Sequence, residues 1–417
     1  MRKRVRCARA AALLLVALLV GWVTSAWAEA PAFETPPVLE VGDVLPAGLR
    51  KGPDFRVAPK VHNDGFMNRY QLKTTWGQLE VVSTALLRKR VRETAAIRQL
   101  EDMSKSEEFA KSVGDAGEGA VRGAVSLVKH PVDTVSSAAS GVGKVFGMAK
   151  KSFTSDEGSD AEDDQWKQVV GYSQTKRDLA KELGVDVYSQ NPQLQKALDD
   201  MTWAGWSGGM TGGLALAMVP GAAGVAVSVS KNTDLFQRID VTRPPGMIRD
   251  DNRRKLAALG IPSASIDRFI GDSTLSPTEQ SVIVVNLEDM EGTEGRAAFV
   301  DYAAHAPDRD MASFVVLQSA MYARYHQDEE SIARFEGLGP RLVARTSDGS
   351  AVVIHPMDRL YWTEAAGGIL VSVGSRLEDA PHKRIWVGGS ASEHAREALK
   401  GAGWELREGV LAELVGD

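Results

Sequence analysis

The hydrophobic pattern changes period several times along the chain, and each change marks an element. From Phe55 to His62, then at Tyr70, Leu72 and Thr74, then at Leu79 and Val81, apolar and polar positions alternate. Alternation puts every second side chain on one face of a strand. Asn63-Asp64-Gly65 and Thr75-Trp76-Gly77 separate these runs and tolerate the positive φ of tight turns. The pattern predicts a small β-meander. From about Ser83 the period becomes helical, with Leu87, Val91 and Ala95 on one side.

Further along, helical spacing dominates. Ser104 and Glu107 have the spacing of a capping box, in which two side chains satisfy free N–H groups at a helix start. A helix ends at Leu183-Gly184, and Asn191-Pro192 opens another with Leu194, Leu198 and Met201 on one face. Helices are predicted over 250–259, 263–270, from Ser276-Pro277-Thr278-Glu279 onward, and over 294–305 and 308–327. The period then returns to two. Strands 342–346 and 351–355 flank the turn Ser347-Asp348-Gly349. A helix over 363–374, a strand over 383–387, a helix over 390–400 and a strand over 404–407 follow, the last three forming a βαβ unit.

Three stretches break the pattern. Residues 29–54 are aperiodic and carry Pro31, Pro36, Pro37, Pro46 and Pro53, which reads as a tether with little structure of its own. Residues 113–165 combine a Gly/Ala/Ser-rich segment with an acidic linker around 154–164. Residues 201–230 contain no charge at all and split at Pro220-Gly221. Their Gly205, Gly209 and Gly213 repeat at four-residue spacing, which on a helix makes a glycine zipper, a face that another helix can approach closely. The fold class that follows is α+β. It comprises a β-meander plus helix (55–112), the helical Gly/Ala-rich middle (113–165 and 166–232), a helical subdomain (233–340) and a small C-terminal α/β unit (341–417).

The first 28 residues read as a secretory signal peptide. Arg2, Lys3, Arg4, Arg6 and Arg9 precede an uncharged Leu/Val/Ala-rich core, and Ala26-Trp27-Ala28 offers the small-x-small cleavage pattern. Cleavage would change the chemistry of what remains. The full chain has 49 basic and 55 acidic residues; losing five basic ones leaves 44 against 55, a net charge of −11. Such a surface repels nucleic acid, which is not expected as a partner. The lone cysteine, Cys7, is removed too, and with it any disulfide, thiolate nucleophile or Cys-ligated metal. The expected location is the bacterial periplasm, with the membrane or a second copy of the chain as partner through 201–230.

Motifs with possible chemistry are few. Gly205-Trp206-Ser207-Gly208-Gly209 matches G-x-S-x-G, the nucleophile elbow of α/β-hydrolases, but the helical spacing before it lacks the strand that the elbow requires. Gly388-Gly389-Ser390 joins a strand to a helix start, where free N–H groups can hold an anion. Ser390 and Glu393 also have capping-box spacing. Ser140 to Val145 resembles a phosphate loop but lacks its first glycine and its Ser/Thr. No two of the seven histidines lie within ten residues, so spacing indicates no metal site, and no cofactor is expected. The reading from sequence is an exported envelope protein that acts by binding or at the membrane. A serine hydrolase using Ser207, and a protein inserting 201–230 into bilayers, are the alternatives.

Overall fold

Tyr70, Leu72 and Val81 point to one face of the N-terminal sheet and are fully buried there. This computed structural model describes residues 32–106, 109, 172–207, 239–240 and 242–415. In it the predicted meander is an antiparallel sheet built around β4 (Asn68–Thr74). β5 (Gly77–Val82) pairs along one side of β4. β2 (Phe55–Val57) and β3 (Lys60–Asn63) lie end to end along the other, against Leu72–Thr74 and Asn68–Arg69 respectively. Pro59 separates β2 from β3, because it has no N–H to continue the ladder.

The Pro-rich stretch predicted to be a tether is instead part of the body. It forms β1 (Leu39–Glu40) on the outer edge of β3, then the short helices α1 (Val41–Val44) and α2 (Ala47–Arg50). Leu45 is buried with Val57, Val61 and Tyr70. Upstream, Glu34 N–H donates to the Trp362 carbonyl at 3.0 Å. The prolines suppress periodicity without preventing an extended segment from docking.

α3 (Thr84–Ser104) serves two cores. Leu87 and Val91 complete the sheet's core, while Ala96, Ile97 and Leu100 meet α4 (residues 172–182) and α5 (Pro192–Ser207). Ser104, expected to open a helix with Glu107, instead closes α3, its Oγ donating to the Glu101 carbonyl, and Glu107 lies outside the described residues. Ser106, two residues on, accepts the Phe109 N–H at 3.1 Å.

The rest of the chain builds its cores on the two faces of a second sheet. α6 (Pro245–Ala258), α7 (Ser263–Gly271), α8 (Pro277–Asp289), α9 (Arg296–Ala303) and α10 (Arg309–Asp328) follow the predicted pattern. The Ser276/Glu279 capping box forms as expected. The C-terminal sheet runs β12-β10-β8-β7-β6. It is mixed: β8 (Ala351–His355), β10 (Lys383–Val387) and β12 (Trp404–Arg407) are parallel, and β7 (Leu342–Thr346) and β6 (Ile332–Gly337) are antiparallel additions.

Two βαβ units, not one, build the parallel part, through α11 (Glu364–Ser375) and α12 (Glu393–Gly401). Side chains of these strands alternate between two cores. Val353 and Ile385 meet α11 and α12; Val352, Ile354 and Trp386 meet the α6–α10 layer. The helical subdomain and the α/β unit are therefore layers of one three-layer structure. β6 escapes prediction because a bulge between Ile332 and Arg334 breaks its alternation.

Candidate functional site

In open α/β sheets ligands bind at the carboxyl ends of the parallel strands. Here that end is closed by the chain itself. Beyond β8 and β10, Gly388 N–H donates to His355 O at 2.9 Å, Gly389 N–H to Met357 O at 2.7 Å, and Ser390 N–H to Asp358 O at 3.1 Å. The three N–H groups proposed from sequence to hold an anion thus already have backbone acceptors. A Cβ on Gly389 would lie 1.9 Å from Asp358 O, and one on Gly388 would meet Leu411 at 2.5 Å. The glycine pair serves this close approach. Ser390 and Ala391 then run as a two-residue strand, β11, beside β9 (Arg359–Leu360) before the helix can start. Consequently Ser392, not Ser390, caps α12 and accepts the Ala395 N–H at 3.0 Å.

Asp358, at the same end of β8, is a site that sequence reasoning missed. Its carboxylate accepts the Asn68 N–H at 2.9 Å and the Thr84 N–H at 3.0 and 3.1 Å. Thr84 is the first residue of α3, so the carboxylate sits at the positive end of that helix. A chain of side chains supports it. Asn68 Nδ2 bonds Tyr70 OH at 3.0 Å, Tyr70 OH bonds Thr84 Oγ1 at 2.7 Å, and Asn63 Nδ2 reaches Asn68 Oδ1 at 2.9 Å. Ser83, just before Thr84, holds φ at 85°, the lone non-glycine residue with positive φ among those described. Burial pushes the Asp358 carboxyl up to about 6, against the opposing pull of its donors. Every one of these bonds crosses between the N-terminal sheet and the C-terminal unit, or braces a group that does. The cluster works as a bolt.

His355, three residues earlier, has a buried Nδ1 without a partner. Its ring lies 5.8 Å from Phe314, and burial, with Arg341 nearby, lowers its pKa to about 4. The imidazole is therefore neutral at pH 7. Among the described residues no three His, Cys, Asp or Glu side chains converge as metal ligands.

The structure places Gly205 and Ser207 in the last turn of α5, with helix and not strand before the serine. The strand that leads into a nucleophile elbow is thus absent. Gly209 and Gly213, and the rest of 208–230, lie outside the described residues, as do 113–165. No helix among the described residues is long and apolar enough to cross a membrane.

What the structure adds at this end of α5 is an aromatic pair. Trp203 is 49% exposed, and its ring lies 6.4 Å from that of Tyr172, the first described residue of α4. Tyr172 OH bonds Asp199 Oδ1 at 2.8 Å, and Lys176 Nζ holds the same oxygen at 2.6 Å. Tyr172 is thus anchored through its hydroxyl, and the Trp203 side chain beside it is half exposed. Comparison with known protein families, with curated proteins and with solved structures returns no match.

Proposed function

We propose that the chain is an exported bacterial envelope protein that acts by binding, not catalysis, and that it meets the membrane surface at 201–230. The observation that supports this is the Trp203–Tyr172 pair at the point where the uncharged stretch begins. Tyr and Trp rings, with a polar atom at one end of an apolar body, suit the boundary between water and acyl chains, and Trp203 is half exposed there. The stretch 201–230 that contains Trp203 has thirty residues without a charge, and thus no ionised group to desolvate. The net charge of −11 argues for contact through apolar side chains and not through anionic headgroups.

Co-sedimentation of the chain lacking residues 1–28 with phosphatidylcholine vesicles tests this. Binding is expected to survive ~0.5 M salt, where surface electrostatics is screened. Trp203→Ala should weaken it roughly ten-fold, the loss of one partly buried aromatic. Absence of sedimentation would overturn the membrane reading. Covalent labelling of Ser207 by a fluorophosphonate, abolished in Ser207→Ala, would overturn the non-catalytic one.

A further inference from the structure

α11 and α12 cover the same face of the C-terminal sheet, yet their outward faces differ in kind. α12 turns Glu393, Glu397 and Lys400 to solvent, as a surface helix does. α11 turns out Ala365, Gly368, Val371, Ser372 and Ser375, with no charge among them. Val371 is 55% exposed and Phe33 57%. The Phe33 ring lies over Gly367, where an added Cβ would come within 2.9 Å of it, so it extends the apolar surface along one flank of α11. Gly368 has open space above it. The patch therefore offers projecting side chains beside an uncrowded glycine.

Charge returns only at the two ends of this helix. Glu364 is its first residue and Arg376 its C-cap; both are exposed and neither is ion-paired among the described residues. Nearby charges do find partners within the chain, as Arg345 does in Asp379. Opposite charges at opposite ends of a neutral stripe match a second copy of the same stripe running the other way. A two-fold axis near the middle of α11 sets each Glu364 against the other copy's Arg376, the two being about 18 Å apart along one helix. The antiparallel helix dipoles favour the same arrangement.

We propose that two copies of this chain pair through α11 across a two-fold axis, with Val371 and Phe33 of each copy packing near Gly368 of the other. The occupant is a second copy because the pattern is complementary to itself under that symmetry. A single helix with a flanking ring is a small interface, so the pairing is concentration-dependent and not obligate.

The lone cysteine, Cys7, falls within the first 28 residues, so the chain lacking them gives cross-linking without background. Val371→Cys is expected to form a disulfide-linked dimer under mild oxidation, and Lys400→Cys on α12 is not. In sedimentation velocity, Glu364→Arg and Arg376→Glu should each weaken association about ten-fold, and the double charge swap should restore it. All these positions are exposed, so the variants should keep the circular dichroism of the parent. A monomer at every concentration, or a dimer equally strong in both single charge variants, would overturn the proposal.

Discussion

His355 and Asp358 lie three residues apart and should act on acid stability in opposite directions. The imidazole, with its pKa lowered to about 4, stays neutral in the folded chain, while in the unfolded chain it titrates near 6.5. Between those values the unfolded state binds more protons. Stability from this group is therefore present above pH 6.5 and is lost as pH falls toward 4. At about 1.4 kcal/mol for each pKa unit the loss reaches about 3 kcal/mol. Asp358 runs the other way. Its carboxyl is raised to about 6 from an ordinary 3.8, so the folded state binds the extra proton. Its contribution is greatest at low pH and is lost as pH rises through 6, again by about 3 kcal/mol. The two nearly cancel between pH 4 and 6. His355→Phe keeps a ring against Phe314 and removes only the histidine's titration. Urea unfolding followed by circular dichroism from pH 4 to 7.5 at constant ionic strength should then show a variant that gains about 3 kcal/mol over wild type on acidification. Asp358→Asn should do the reverse, losing ground to wild type as pH falls from 6 to 4. Parallel stability curves for His355→Phe and wild type would refute the reasoning.

Four further substitutions test packing, a buried ion network and a helix cap. Gly389→Ala puts a methyl group 1.9 Å from the Asp358 carbonyl, and a thermal melt should register a loss of ~3 kcal/mol or more. Glu93 is buried and holds Arg90 at 2.7 Å and Asn191 Nδ2 at 3.0 Å, with Ser189 on its other oxygen at 2.5 Å. Glu93→Ala strands that guanidinium, and urea titration should show a cost of about 3–5 kcal/mol. Ser392→Ala should cost ~1 kcal/mol as a lost helix cap, whereas Ser390→Ala should change the melting temperature little. Equal effects at the two serines would contradict the assignment of the cap.

How much of this was readable from residues depends on whether partners are local. β7, β8, β10 and β12 match the predicted ranges because alternation and turn residues sit within a few positions of one another. The caps at Ser104 and Ser390 were misplaced for one shared reason. Each belongs to a Ser-x-Ser pair, and in both pairs the second serine accepts the N–H three residues on. Spacing to the next glutamate cannot separate such neighbours; only the preceding element can. After Ser104 that element is the end of α3, and at Ser390 it is the short pairing with β9.

Asp358 marks the limit of sequence reading. Its acceptor bonds reach back 290 residues to Asn68 and 274 to Thr84. In sequence it is one acidic residue after a strand, of the kind that usually faces solvent. Its burial follows from two loops meeting: Asp358 and Arg359 N–H groups both donate to Phe66 O, and Tyr361 N–H to Gly65 O. Once that backbone contact forms, a carboxylate at position 358 is carried to the start of α3, where free N–H groups have no acceptor within their own helix. The same docking fills the carboxyl ends of β8 and β10, where a ligand would otherwise sit. With this position closed by Gly388, Gly389 and Phe66, the contacts proposed above lie on outer faces, and among the described residues the end of α5 and the length of α11 are two that carry little charge.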